Sequence, residues 1–215
     1  MKPRPLKPGS DVLQAGIDHP DTALSPAFFN GSTIEIARSL LGVSLHRRLP
    51  DGTLYKGAIV EVEAYTQDDP ACHAFKGRTR RCQVMFGPAG FSYVYFIYGM
   101  YHCLNVVTEA EGQAGAVLIR AVASEGTSGP GRLCRQWSID KSHNGLDLRI
   151  PDSPLWLTSG APVADDDVLI TPRIGLSVAT DRLWRFAVKG HPAVSGPKVV
   201  RAEPRKRRAR EGGRK

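Results

Sequence analysis

Residues 91–123 constrain the fold most. They hold three apolar runs rich in β-branched and aromatic residues, Phe91–Ile97, Tyr101–Thr108 and Ala116–Ala123. Only short reversals separate them, so the runs predict an antiparallel meander. Tyr98-Gly99-Met100 leaves room for nothing but a tight reversal, and Gly99 supplies its conformational freedom. Such a tip pushes Tyr98 or Met100 outward. Period two puts Asn105 on one face with Cys103 and Val107, and Arg120 on one face with Leu118. Four of the chain's six tyrosines fall within Tyr93–Tyr101, so a stacking function would reside in this hairpin.

The flanking segments add helices and further strands. Ser32 and Glu35 form a capping-box pattern ahead of Ile34, Ala37, Leu40 and Leu41, which predicts a helix over 33–41 stopped by Gly42. Val43–Leu49 and Thr53–Tyr65 flank the turn signal Pro50-Asp51-Gly52 and read as a hairpin. In its second strand Glu61, Glu63 and Tyr65 share one face. Residues 66–90 form a long polar loop carrying His73 and Arg78-Thr79-Arg80-Arg81, and a loop this long is usually functional. Gly129-Pro130 opens a short helix predicted to run through Ile139. Leu155–Leu157, Val168–Ile170, Ile174–Leu176 and Trp184–Val188 are short strand candidates. Strands dominate beside real helices, so the class is α+β.

Charge divides the chain into a body and a tail. Net charge is +8 over 215 residues. Residues 198–215 carry nine basic and two acidic residues, leaving 20 basic and 19 acidic elsewhere. The run Arg205, Lys206, Arg207, Arg208 is therefore an electrostatic element on a nearly neutral body. It suits a polyanion, because each phosphate contact releases condensed counterions; a solvated tail without a partner has the same composition. Residues 1–26 are rich in Pro, Gly, Asp and Ser and read as an arm, poorly ordered at its start. No apolar h-region and no bilayer-length apolar segment is evident. An intracellular, non-membrane protein is expected: cytoplasmic and nucleoid-associated in a bacterium, nuclear in a eukaryote. The four cysteines make no C-x-x-C pair and read as free thiols, with no metal site.

The residues that point to chemistry are few. Glu63 on a strand face could deprotonate water; Glu61, on the same face, competes for that role or orients a neighbour. Carboxylates in strands also serve ordinary ion pairs. Tyr93 and Tyr95 share a face, and Tyr65 facing one of them would make a slot for a planar base, with stacking worth roughly 1–3 kcal/mol per base. Strand aromatics are more commonly core residues. A tyrosine at a turn tip is harder to explain by packing and resembles the wedges that unstack a duplex step. His73, Asn105 and Arg120 have bland readings as surface or sheet residues. No lysine lies within 61–63 or 93–120, which argues against a Schiff-base nucleophile.

Taken together these residues resemble the alkyladenine DNA glycosylase family, the mammalian-type 3-methyladenine DNA glycosylases. The resemblance runs from about Leu40 to Ser195. It rests on V-E-V-E-A-Y (60–65), D-P-A-C-H-A (69–74), G-R-T-R-R (77–81), M-F-G-P-A-G (85–90), Y-V-Y-F-I-Y-G-M-Y (93–101), C-L-N-V-V (103–107), A-V-L-I-R-A (116–121), G-P-G-R-L-C (129–134), P-R-I-G (172–175) and W-R-F (184–186), all in order.

The resemblance implies a single compact domain over 27–197 with a curved, mainly antiparallel sheet and flanking helices. Glu63 would activate the attacking water, and Arg120 would hold a phosphate near the flipped sugar. Tyr65, His73 and Tyr95 would line the base pocket, and Asn105 would exclude the 2-amino group of normal guanine. Tyr98 would fill the gap left by the flipped nucleotide, with Met100 beside it on the DNA. The expected protein is a monomer that acts on double-stranded DNA containing damaged purines and needs no cofactor or metal. One departure is Arg120 followed by A-V-A-S (121–124), where the family commonly has A-L-E-P; it bears on positioning around Arg120. Two other readings stay open on residues alone: a non-catalytic nucleic-acid-binding module, and a glycosidase for free nucleosides.

Overall fold

The computed structural model describes residues 22–196; the tail, with Arg205–Arg208, and most of the N-terminal arm lie outside them. The capping box is present. The Glu35 amide donates to Ser32 Oγ at 3.3 Å, and the Ser32 amide donates to Glu35 Oε2 at 2.9 Å. These bonds satisfy two of the donors orphaned at a helix start and open α1 (Thr33–Ser39). Gly42, at φ +87°, then turns the chain into the sheet.

The sheet comprises β1 (Ser44–Arg48), β2 (Leu54–Thr66), β3 (Ser92–Ile97), β4 (Tyr101–Thr108), β5 (Gly115–Val122), β6 (Leu155–Thr158), β7 (Val168–Thr171) and β8 (Arg185–Val188). Its main order is β3-β4-β5-β2-β1-β6; β8 also pairs with β2, and β7 with β8. Every strand pairing is antiparallel. The predicted hairpin and meander are both present, and the α+β class holds. A short second helix, α2 (Pro130–Gln136), packs against β4 and β5.

β2 is the central element. Glu61, Val62 and Glu63 pair with β8, and residues 59–66 pair with β5. These two partners flank the same residues from opposite edges, so the segment is buried on every side. Register shifts around Glu61 mark a bulge, which bends a strand and raises its twist. The curl of the sheet thus centres on the residues that carry the carboxylates.

Two apolar clusters hold the fold. The larger joins α1, the sheet and α2 through residues such as Leu40, Val62, Ile119, Leu133 and Trp137. The smaller contains Cys72, Ala74, Met85 and Phe86 from the long loop, packed on Tyr93, Val107 and Ala116. This second cluster anchors residues 66–90 to the sheet and so fixes His73. At the other end of the described chain, Ala23 bridges to Thr158 and Leu24 is buried, so the arm's final residues lie on the sheet.

Two predicted elements differ. Residues 174–176 form no strand: the Ile174 amide donates to Glu63 Oε1 at 2.8 Å instead of to a neighbouring strand, and Gly175 has φ +76°. The second helix ends at Gln136 rather than Ile139. The Ile139 amide bonds Cys134 O at 2.8 Å and the Ser138 amide bonds Arg135 O at 3.4 Å. With Ser138 at φ +50°, this is a Schellman ending, with serine where glycine is usual.

Candidate active site

Glu63 lies at the centre of the site with no solvent exposure. Its carboxylate receives two hydrogen bonds and one ion pair. The Tyr65 hydroxyl donates to Oε2 at 2.9 Å, and the Ile174 amide to Oε1 at 2.8 Å. Arg120 Nη1 lies 3.2 Å from Oε1. A buried carboxylate is tolerated when it is paired and hydrogen-bonded in this way. Burial, reinforced by the Glu63 charge, pushes the Tyr65 phenol above its ordinary range, so Tyr65 stays a donor.

Glu61 is also fully buried, but it does not border the cavity. Arg120 Nε donates to its Oε1 at 2.9 Å, and Arg185 Nε to the same atom at 2.7 Å. The Ser195 amide donates to Oε2 at 2.6 Å and the Ser195 hydroxyl to Oε1 at 3.0 Å. Glu61 is thus held by Arg120, Arg185 and Ser195, away from the cavity. Burial acts to lower the Arg120 pKa, but Glu63 and Glu61 together raise it above the usual value. The guanidinium is fixed as a cation across both carboxylates.

Above this network opens a cavity of about 430 Å³, within the range of small-ligand sites. Glu63, Arg120, Tyr65, His73, Tyr95, Asn105 and Tyr98 all border it. Seven residues singled out in the sequence thus converge from β2, the long loop, β3 with its turn, β4 and β5. His73 Nδ1 lies 3.0 Å from the Tyr93 hydroxyl, and its ring meets Tyr95 edge-on, centroids 4.6 Å apart. Burial, then the nearby Arg81, pull the His73 pKa down to about 4, so the imidazole is neutral at pH 7. Asn105 Nδ2 donates to Tyr93 O at 2.9 Å, which locks the amide in place.

Tyr98 stands at the rim, 78% exposed, with φ +54°. A left-handed backbone is uncommon for a bulky residue and is costly to hold. Met100, 65% exposed, shares the turn but does not border the cavity.

Several participants carry no signal in sequence spacing. Arg173 and Asp69 form a fully buried ion pair, and Arg173 Nη1 donates to Ala64 O at 2.8 Å. The Arg173 guanidinium also stands over the Tyr65 ring, 4.6 Å from its centroid. Arg185 and Ser195 complete the cage around Glu61. The motifs P-R-I-G, D-P-A-C-H-A and W-R-F contain three of these residues, but only the fold reveals their partners. All four cysteines are free and buried. Among the described residues no group of three or more His, Cys, Asp or Glu is placed to hold a metal, and no helix is long and apolar enough to cross a membrane.

An aromatic cavity floored by one buried carboxylate and rimmed by an exposed aromatic turn has the form of a glycosidic-bond hydrolase that takes a planar base. The profile of the methylpurine-DNA glycosylase family (MPG) matches residues 27–192, and the chain belongs to that family. It is a DNA glycosylase, a hydrolase of N-glycosidic bonds in DNA repair. It is 47% identical over 181 residues to a protein of Synechococcus sp. (strain JA-3-3Ab), covering 74% of this chain and 92% of that one. It is 48% identical over 173 residues to a protein of Sodalis glossinidius (77% and 96% covered). A protein of Herpetosiphon aurantiacus is 43% identical over 195 residues (80% and 88%). Each of the three carries the name "Putative 3-methyladenine DNA glycosylase".

Proposed function

We propose that the protein extrudes alkylated or deaminated purines from duplex DNA and hydrolyses their N-glycosidic bond with a water activated by Glu63. Its substrates are 3-methyladenine, 7-methylguanine, hypoxanthine and ethenoadenine, and its product starts base excision repair. A base stacked in a duplex cannot be reached, so extrusion precedes chemistry.

The observation that carries this reading is the setting of Glu63. A carboxylate has about four lone-pair sites; Ile174 uses one on Oε1 and Tyr65 one on Oε2, and Arg120 pairs with the Oε1 side. The second site on Oε2, away from the Arg120 charge, suits a water. As the C1′–N9 bond breaks, its electron pair leaves with the base and the sugar gains oxocarbenium character. Water attacks C1′ and Glu63 takes its proton. Tyr65 and Tyr95 sandwich the base, neutral His73 reads its edge, and the locked Asn105 obstructs a 2-amino group. Arg120 has N–H groups left for a phosphate of the flipped nucleotide. Tyr98 fills the vacated stack, Met100 rests against its neighbours, and Arg205–Arg208 add affinity for any duplex. The protein acts inside the cell as a monomer and needs no cofactor for this chemistry.

The test compares base release from a duplex carrying one hypoxanthine or one ethenoadenine with release from free deoxyinosine. Release from duplex alone is expected. Equal turnover of the free nucleoside would instead favour a nucleoside hydrolase, which has no use for Tyr98.

A further inference from the structure

Both stacking tyrosines already carry a cation. Arg173 stands 4.6 Å from the Tyr65 ring centroid, and Arg81 stands 5.3 Å from the Tyr95 ring centroid. Neither guanidinium borders the cavity, so each reaches its ring from outside the space a base would fill. The two differ in compensation. Arg173 is neutralised by Asp69, both fully buried. Arg81 is exposed, and among the described residues no carboxylate lies within ion-pair distance of it. The field of Arg81 reaches into the pocket wall, since it helps hold His73 neutral.

We infer that Arg81 is a specificity-determining residue, whose uncompensated charge behind Tyr95 favours release of neutral damaged purines over positively charged ones. The inference rests on the proposed base pocket and names a preference within it. A purine alkylated at N3 or N7 is a cation. It enters against the Arg81 charge, and Tyr95 offers it a face whose electron density already answers a cation. When its glycosidic bond breaks, the electron pair moving to N9 leaves a neutral base. A neutral lesion such as hypoxanthine enters at no such cost. Its bond breaks with the pair on N9, so the departing base becomes an anion, balanced by the proton that Glu63 takes from water. Arg81 then stabilises charge that exists only as the bond breaks, which is how an interaction accelerates a step. Referred to free protein and free duplex, both effects push the ratio of second-order rates the same way.

The experiment measures the second-order rate of release of 7-methylguanine and of hypoxanthine, in single turnovers at subsaturating protein, from otherwise identical duplexes, for wild type, Arg81→Gln and Arg81→Lys. Across the thickness of one ring, with allowance for solvent around an exposed guanidinium, one charge corresponds to about five- to tenfold. Arg81→Gln is expected to raise the 7-methylguanine to hypoxanthine ratio by about that factor, while Arg81→Lys stays within about twofold of wild type. An unchanged ratio in Arg81→Gln would overturn the inference. So would an equal fall for both lesions with a shallower salt dependence, which is the behaviour of a phosphate contact. Wild type that releases neither base would overturn the pocket assignment itself, and is seen before any variant is compared.

Discussion

The Tyr65 hydroxyl donates to Glu63 Oε2 at 2.9 Å from two residues further along the same strand. Period two alone brings these side chains to one face of β2. The relationship joins the wall of the cavity to its floor: the ring available for stacking also holds the carboxylate.

Tyr65→Phe separates those two roles. It keeps the ring and removes one donor to a buried carboxylate, a bond worth roughly 1.5–3 kcal/mol when one partner is charged. Base release is expected to fall about tenfold or more with little change in affinity for a lesion duplex. Single-turnover rates and duplex titrations check this. An unchanged rate would show that Glu63 does not depend on the phenol.

The Arg173–Asp69 pair supports the same wall from behind. Asp69→Ala would leave a fully buried guanidinium unpaired, at a cost of about 3–5 kcal/mol. Replacing Asp69 and Arg173 together by apolar residues should recover much of that loss. Denaturant unfolding of the two variants measures the difference.

The pH dependence has a definite sign at His73. Its folded-state pKa of about 4 lies below the ordinary 6.5, so protonation favours the unfolded chain. Its contribution to stability is intact above about pH 6.5, erodes as pH falls towards about 4, and is constant below that. Denaturant midpoints at pH 7, 5.5 and 4.5 should drop less steeply for His73→Gln than for wild type. Equal slopes would mean that the imidazole is not held neutral.

Tyr98 combines high exposure with a left-handed backbone. Glycine adopts that conformation freely, so Tyr98→Gly should hold stability or raise it by up to about 1 kcal/mol. Release of a base from duplex DNA should nevertheless fall at least about tenfold, because no wedge replaces the extruded nucleotide. Thermal unfolding and single-turnover release measured on one preparation decide this. A variant that is less stable and fully active would reverse both halves of the argument.

Much of this arrangement is legible in the sequence, for reasons that can be named. The hairpin at 91–108 and the meander follow from alternation and one glycine, and the capping box of α1 from two polar residues. Period two puts Glu61, Glu63 and Tyr65 on one face, yet only the three-dimensional pairing shows that Glu61 turns to Arg120, Arg185 and Ser195 while Glu63 borders the cavity. Residues 174–176 have the composition of a strand, but the Ile174 amide is taken by Glu63, a partner 111 positions away. Arg173–Asp69 is an equally remote pair, 104 positions apart. Local pattern records what a residue does for its own element; it carries no trace of a partner that only the closed sheet brings near.

The most direct measurement is single-turnover release of hypoxanthine from a duplex by wild type, Glu63→Gln and Glu61→Gln, with duplex affinity measured in parallel. A general base contributes about 10²–10⁴-fold. Glu63→Gln should therefore lose at least about a hundredfold in rate while still binding the lesion duplex, and Glu61→Gln should lose less. Release by Glu63→Gln within about tenfold of wild type, with the protein folded and bound to DNA, would contradict the assignment of Glu63 as the base.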